Sequence, residues 1–189
     1  MKGNGDRGAA LVLALMAVFL MAALGACLAI LSNTELTIVA NYVDATELRY
    51  VAEAALEATI AELTAMTDWS EIVAGPATSV LTDGSPGGRR RLSDGSVIDL
   101  DDLSNQVIID NPTFRLFAWA PARRLQAGED LGVDAYVVVW IGDDPEENPA
   151  ILAIRADAFG VSGMRRMVAA RILRTEAGGV GVISWHELR

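Results

Sequence analysis

The chain has 189 residues, 52% of them hydrophobic, with 25 acidic and 15 basic side chains and a formal net charge of −10. That length suits one domain, or one domain with an appendage, and the negative charge argues against a nucleic-acid partner, whose phosphates need a basic surface. One cysteine, Cys27, excludes an internal disulfide or thiolate cluster, and one histidine, His186, leaves little for a zinc site or a Ser-His-Asp triad.

Residues 1–8 are short and polar and carry Lys2 and Arg7, and from Ala9 to Leu31 no charge appears. As a helix that run rises about 35 Å, against a bilayer hydrocarbon core of about 30 Å. Cations precede it and Glu35, Asp44 and Glu47 follow it. The positive-inside rule therefore puts the N-terminus in the cytoplasm and the bulk of the chain outside, in the inner membrane. A secretory signal peptide has a shorter apolar region and a small-residue cleavage site. A permanent anchor fits the run, and so does a leader cut on the cytoplasmic side after Gly8, which leaves Ala9 at the head of an intact apolar helix.

From Ser32 to Met66 there is no Pro and no Gly, and helix formers dominate. Tyr42, Ala45, Leu48, Ala52, Leu56, Thr59, Leu63 and Met66 recur at steps of three and four, one face of a helix. Asp44, Glu47, Glu53, Glu57 and Glu62 take the opposite face, and Asp68 with Gly75-Pro76 ends the run. The pattern predicts one helix from about Ala9 to about Met66, membrane-embedded over 9–31 and amphipathic over 32–66.

Arg7-Gly8-Ala9-Ala10-Leu11-Val12-Leu13-Ala14-Leu15, then Leu24-Gly25, Thr34-Glu35-Leu36, Ala40-Asn41-Tyr42 with Asp44, and Ala52-Glu53-Ala54-Ala55-Leu56 make an ordered set. In these residues the sequence resembles class III signal proteins of the type IV filament superfamily, most of all the PilX-type minor pilins. The resemblance implies cleavage of the 1–8 leader after Gly8 by a prepilin peptidase, N-methylation of Ala9, and entry of the mature chain into a filament. It implies a pilin-like α+β fold, a long N-terminal helix packed on an antiparallel sheet. Its implied partners are other minor pilins, the major pilin and the inner-membrane assembly platform, with membrane lipid before assembly. Major pilins of this family carry glutamate where this chain has Leu13, and K-type pseudopilins of type II secretion resemble it in lacking that carboxylate. Leu13 thus favours a minor, priming or tip role.

Residues 67–189 read as a head. Gly75–Gly95 is rich in Gly, Ser, Thr, Asp and Pro and predicts a loop, part of a long connection near 75–112. Arg89-Arg90-Arg91 within it reads as solvated, or as a contact with acidic neighbouring subunits. Thr113–Ala120, Ala135–Ile141, Ala150–Phe159 and Met164–Arg174 predict strands, the last two joined by a hairpin loop over Gly160–Gly163. Asp143–Pro149 predicts a polar turn. An antiparallel meander results, one face on the amphipathic part of the helix.

Few residues invite chemistry. Asp94, Asp99, Asp101 and Asp102 supply closely spaced oxygens of the kind Ca²⁺ takes, but the EF-hand glycine and terminal glutamate are missing. A solvated acidic loop capping the next element is the competing reading. Cys27 reads as an apolar filler, Trp69 as a packing anchor and His186 as a surface or edge residue. Ser70 and Ser184 have no base at a recognisable spacing. No catalytic site and no cofactor is expected. Small residues Ala17, Ala22, Ala23, Gly25 and Ala26 allow close helix approach in a membrane. The expected function is a structural one, a minor pilin that primes or caps a type IV pilus. The alternatives are a pseudopilin of type II secretion, or a single-pass membrane protein with an outer binding domain.

Overall fold

With nothing to break it between Ser32 and Met66, the backbone of the computed structural model forms one helix, α1, from Gly5 to Ala65. The structure describes residues 5–66, 68–75, 77–125, 133–143, 148, 150–175 and 178–188. Helix α1 begins ahead of the expected Ala9 and runs through the Gly8–Ala9 junction, because no proline interrupts those residues either. The chain divides into two units, Met1–Val43 and Asp44–Arg189.

In the second unit the buried stripe of α1 holds Leu48, Val51, Ala52, Ala55, Leu56, Thr59 and Leu63. It is wider than the single row read from the sequence, and it leaves Tyr42 72% exposed. Thr59 is tolerated inside because its hydroxyl donates to the Ala55 carbonyl at 2.8 Å. The end of α1 is fixed by Trp69, whose indole N–H donates to the Leu63 carbonyl at 3.0 Å while Arg174 lies over its ring at 5.4 Å. A short helix, α2 (Ser70–Ala74), follows and stops at Gly75, whose φ of 101° is left-handed.

The stripe lies on a five-stranded antiparallel meander in chain order, β3 (Arg115–Pro121), β4 (Ala135–Asp143), β5 (Ile151–Gly160), β6 (Arg165–Arg174) and β7 (Val180–Leu188). β3 to β6 fall within two residues of the expected strands. The β5–β6 turn is also as expected, a 3-10 turn over Val161–Gly163 in which Ser162 and Gly163 take positive φ. The Asp143–Pro149 turn lies mostly outside the described residues.

Strand β4 explains the layering. Ala135, Val137, Val139 and Ile141 join the hydrophobic layer under α1, and Tyr136, Val138 and Trp140 join a separate layer on the other face. A two-sided apolar strand is what burial on both faces requires. In β3 a register shift between Leu116 and Ala118 places Phe117 and Ala118 together in the α1 layer and leaves Leu116 and Trp119 to the other.

That second layer corrects the long loop expected near 75–112. Within it lie a hairpin of β1 (Arg89–Arg91) and β2 (Val97–Asp99), and then a helix, α3 (Leu100–Asp110). Leu100, Leu103 and Val107 bury one face of α3 against Trp119, Val138 and Trp140. The Arg89–Arg91 run is therefore strand rather than loop. The physical cause is Asp99, whose carboxylate accepts the N–H groups of Asp101 and Asp102 and so starts a helix that the acidic composition hides.

Candidate functional site: an apolar helix surface

Among the described residues one helix is long and apolar enough to cross a membrane, and none of its most apolar window is buried inside the structure. From Leu11 to Val39 its leucines, valines, isoleucines, methionines and Phe19 are exposed all round the helix. The backbone there satisfies its own hydrogen bonds, the condition for entering hydrocarbon. At the polar end of the run the Thr34 hydroxyl donates to the Ile30 carbonyl at 3.0 Å and the Thr37 hydroxyl to that of Asn33 at 2.9 Å.

On this surface Gly8, Ala9, Leu13, Ala17, Ala22, Ala23, Gly25, Ala26 and Cys27 are all exposed. At 100° per residue Ala22, Gly25 and Ala26 share a face, and Ala17 sits about 140° round from Ala22. The small residues are thus distributed over more than one side. A Cβ at Gly25 meets nothing within 4 Å, so this glycine serves no contact inside the chain. Leu13 is 67% exposed and adds to this aliphatic surface.

Three of the four aspartates considered for a cation are otherwise engaged. Asp99 accepts from Asp101 N at 3.2 Å, Asp102 N at 3.3 Å and Arg89 Nε at 3.1 Å. Asp94 accepts from Ser96 Oγ at 2.6 Å, Ser96 N at 2.9 Å and Ser162 N at 2.6 Å, tying the β1–β2 turn to the β5–β6 turn. Asp101 accepts from Gly88 N at 2.9 Å, and Asp102 is exposed on the first turn of α3. The Arg89 guanidinium, with the Asp102 N–H, holds the Asp99 carboxyl below its ordinary range. The Ser96 hydroxyl and the Ser162 and Ser96 N–H groups do the same for Asp94. Among the described residues no three His, Cys, Asp or Glu side chains are arranged to hold a metal ion. The carboxylates act as turn and helix caps.

His186 is exposed on β7, a strand the sequence reading left out, and Ser70 is bonded to Asp68. Sequence reasoning also missed a charged cluster inside the head. Asp157 on β5 is fully buried and accepts from Arg155 Nε at 3.0 Å, Arg155 Nη2 at 3.3 Å and Arg165 Nε at 3.2 Å, with a closer contact from Arg165 Nη2. Arg155 also reaches Asp110 of α3 at 3.4 Å and lies 5.9 Å from the Trp140 ring centroid. The signal was present in Arg155-Ala156-Asp157, two charges at alternate positions of an otherwise apolar strand. Its role is to pin α3, β5 and β6 together.

No protein-family model, curated protein or solved structure matches the chain. Fold and surface alone set its class. It is an α+β head on an antiparallel sheet, led by a helix whose first part suits insertion in a membrane.

Proposed function

We propose that the chain is a minor pilin of the PilX type, a structural subunit that primes or caps a type IV pilus together with other minor pilins. The observation that carries this reading is a single helix that is uncovered and apolar in its first part and serves as a core element of the head in its second. An apolar side chain left in water forgoes about 1.5–3 kcal/mol relative to burial, so the Leu11–Val39 surface needs a cover. Lipid of the inner membrane supplies it first, and sister helices replace the lipid on assembly. Packing at Ala22, Gly25 and Ala26, and separately at Ala17, lets neighbouring backbones approach closely.

Leu13 supports a priming or tip role over one along the length of the polymer. A buried charge without its partner costs several kcal/mol. A subunit lacking the family's carboxylate therefore leaves a neighbour's N-terminal amine unmatched within a long homopolymer, and fits better at an end. The prepilin peptidase, the major pilin and the assembly platform are the other expected partners.

Co-expression with a prepilin peptidase followed by mass spectrometry of the N-terminus tests the reading. The expected product begins at Ala9 with a methylated amine. A chain that keeps Met1 refutes it and leaves a membrane-anchored head. Deletion in the source cell then separates a pilus subunit, by lost piliation, from a pseudopilin, by lost protein secretion.

A further inference from the structure

The β1–β2 hairpin, the turn after β3 and the start of β4 enclose an open cleft of about 490 Å³. Most arginines of the head are spoken for. Arg90 donates to the carbonyls of Asp83, Ser85 and Gly87, Arg89 pairs with Asp99, and Arg124 with Asp83. Among the described arginine side chains, Arg91 and Arg123 alone have neither a hydrogen bond nor an ion pair, and both line this cleft while exposed to solvent. Under it the Tyr136 hydroxyl is buried without a hydrogen-bond partner. The guanidinium beside it, Arg90, can only donate, so the phenolic O–H lacks an acceptor.

Two unengaged guanidiniums and a tyrosine O–H leave the cleft with donors that lack acceptors. Its complement is an oxyanion, and a carboxylate matches the planar guanidinium fork by two parallel hydrogen bonds. The cleft also carries Asp83 and Asp134, the latter taking the Ser93 hydroxyl. Those carboxylates oppose a compact dianion such as phosphate more than single negative charges seated apart on Arg91 and Arg123. At longer range a net charge of −10 opposes a polyanion such as nucleic acid. We propose that this cleft docks an acidic polypeptide segment, with Arg91 and Arg123 each receiving a carboxylate. The proposal stands whether or not the chain enters a filament.

The test uses the full chain in detergent micelles at low salt, with a fluorescent oligoglutamate peptide as the probe and fluorescence anisotropy as the readout. Saturable binding is expected, weakened about tenfold or more in the double variant R91Q/R123Q, because two charge-assisted contacts are lost, and unchanged in R166Q. Independently of any variant, bound oligoglutamate should shield Arg91 and Arg123 from an arginine-specific dicarbonyl reagent, read by peptide mass spectrometry. Absence of binding, binding indifferent to R91Q/R123Q, or protection confined to other arginines overturns the proposal. Displacement by inorganic phosphate at lower concentration than by glutamate oligomer also overturns it, since it assigns the site to phosphate chemistry.

Discussion

Replacing Asp157 by asparagine keeps the shape of the side chain and removes its charge. Two guanidiniums converge on this carboxylate, and that of Arg155 is only 10% exposed. Once the charge is gone, the nearest remaining anion for Arg155 is Asp110, 3.4 Å away and itself 71% exposed. Arg165 has a way out toward water, and Arg155 has none. Removing one partner of a buried ion pair costs about 3–5 kcal/mol, which at a urea dependence of about 2 kcal/mol/M lowers the midpoint by about 2 M. The assay is urea unfolding of the full chain in micelles, followed through the fluorescence of the buried Trp69, Trp119 and Trp140. The double variant R155M/D157L removes both charges while keeping volume, and should recover most of the loss. If D157N shifts the midpoint by less than about 0.5 M, or the double variant does no better than the single, the buried ion pair does not carry the head's stability in the way argued.

Leu56, fully buried between α1 and the sheet, should cost about 2–5 kcal/mol when cut to alanine, and the exposed Glu57→Ala under about 0.5 kcal/mol in the same urea series. Gly142→Ala places a Cβ 2.6 Å from Thr113 Oγ1 and 3.0 Å from Phe114 N, so the chain before β3 must move, and stability should fall as for an overpacked core, by about 1–3 kcal/mol. Burial pushes the Tyr136 phenol up to about 12 from an ordinary 10.0. Above pH 10 the unfolded chain releases this proton and the folded chain keeps it, so stability should fall as pH rises from 10 toward 12. Absorbance titration should show one tyrosine ionising late, and Y136F should remove that step.

Much of this fold could be read from residue order. Leu48, Ala52, Leu56 and Leu63 announced the buried stripe by their spacing, and the β-branched and aromatic run Tyr136–Ile141 announced a buried strand but not the second layer over its other face. What escaped did so for local reasons. The Leu100, Leu103, Val107 spacing of α3 is helical, but Asp94, Asp99, Asp101 and Asp102 suggest a cation loop, and the task of the first three is to bond backbone N–H groups. β1 and β2 are three residues each, too short for periodicity to register. β7 begins among glycines and exposes Val182, Ile183 and Trp185, so it lacks the alternation that burial imposes. The Arg91–Arg123 cleft joins residues far apart in sequence, and only the fold brings them together.

The two oily layers lie on opposite faces of the sheet, and β4, like β3, sends side chains into both. Its amides are also bonded to β3 on one side and β5 on the other. Deuterium should enter β4 last, and only by opening of the whole head. Among the described residues β7 has a ladder partner on one side alone, and its outward N–H groups should exchange early through local fraying. The opposite margin is slower by construction, because Ser79 N and Trp119 N stitch the 79–82 segment to β3. Isotope uptake should therefore run across the sheet as a gradient from one margin, a kinetic polarity built into an otherwise regular meander.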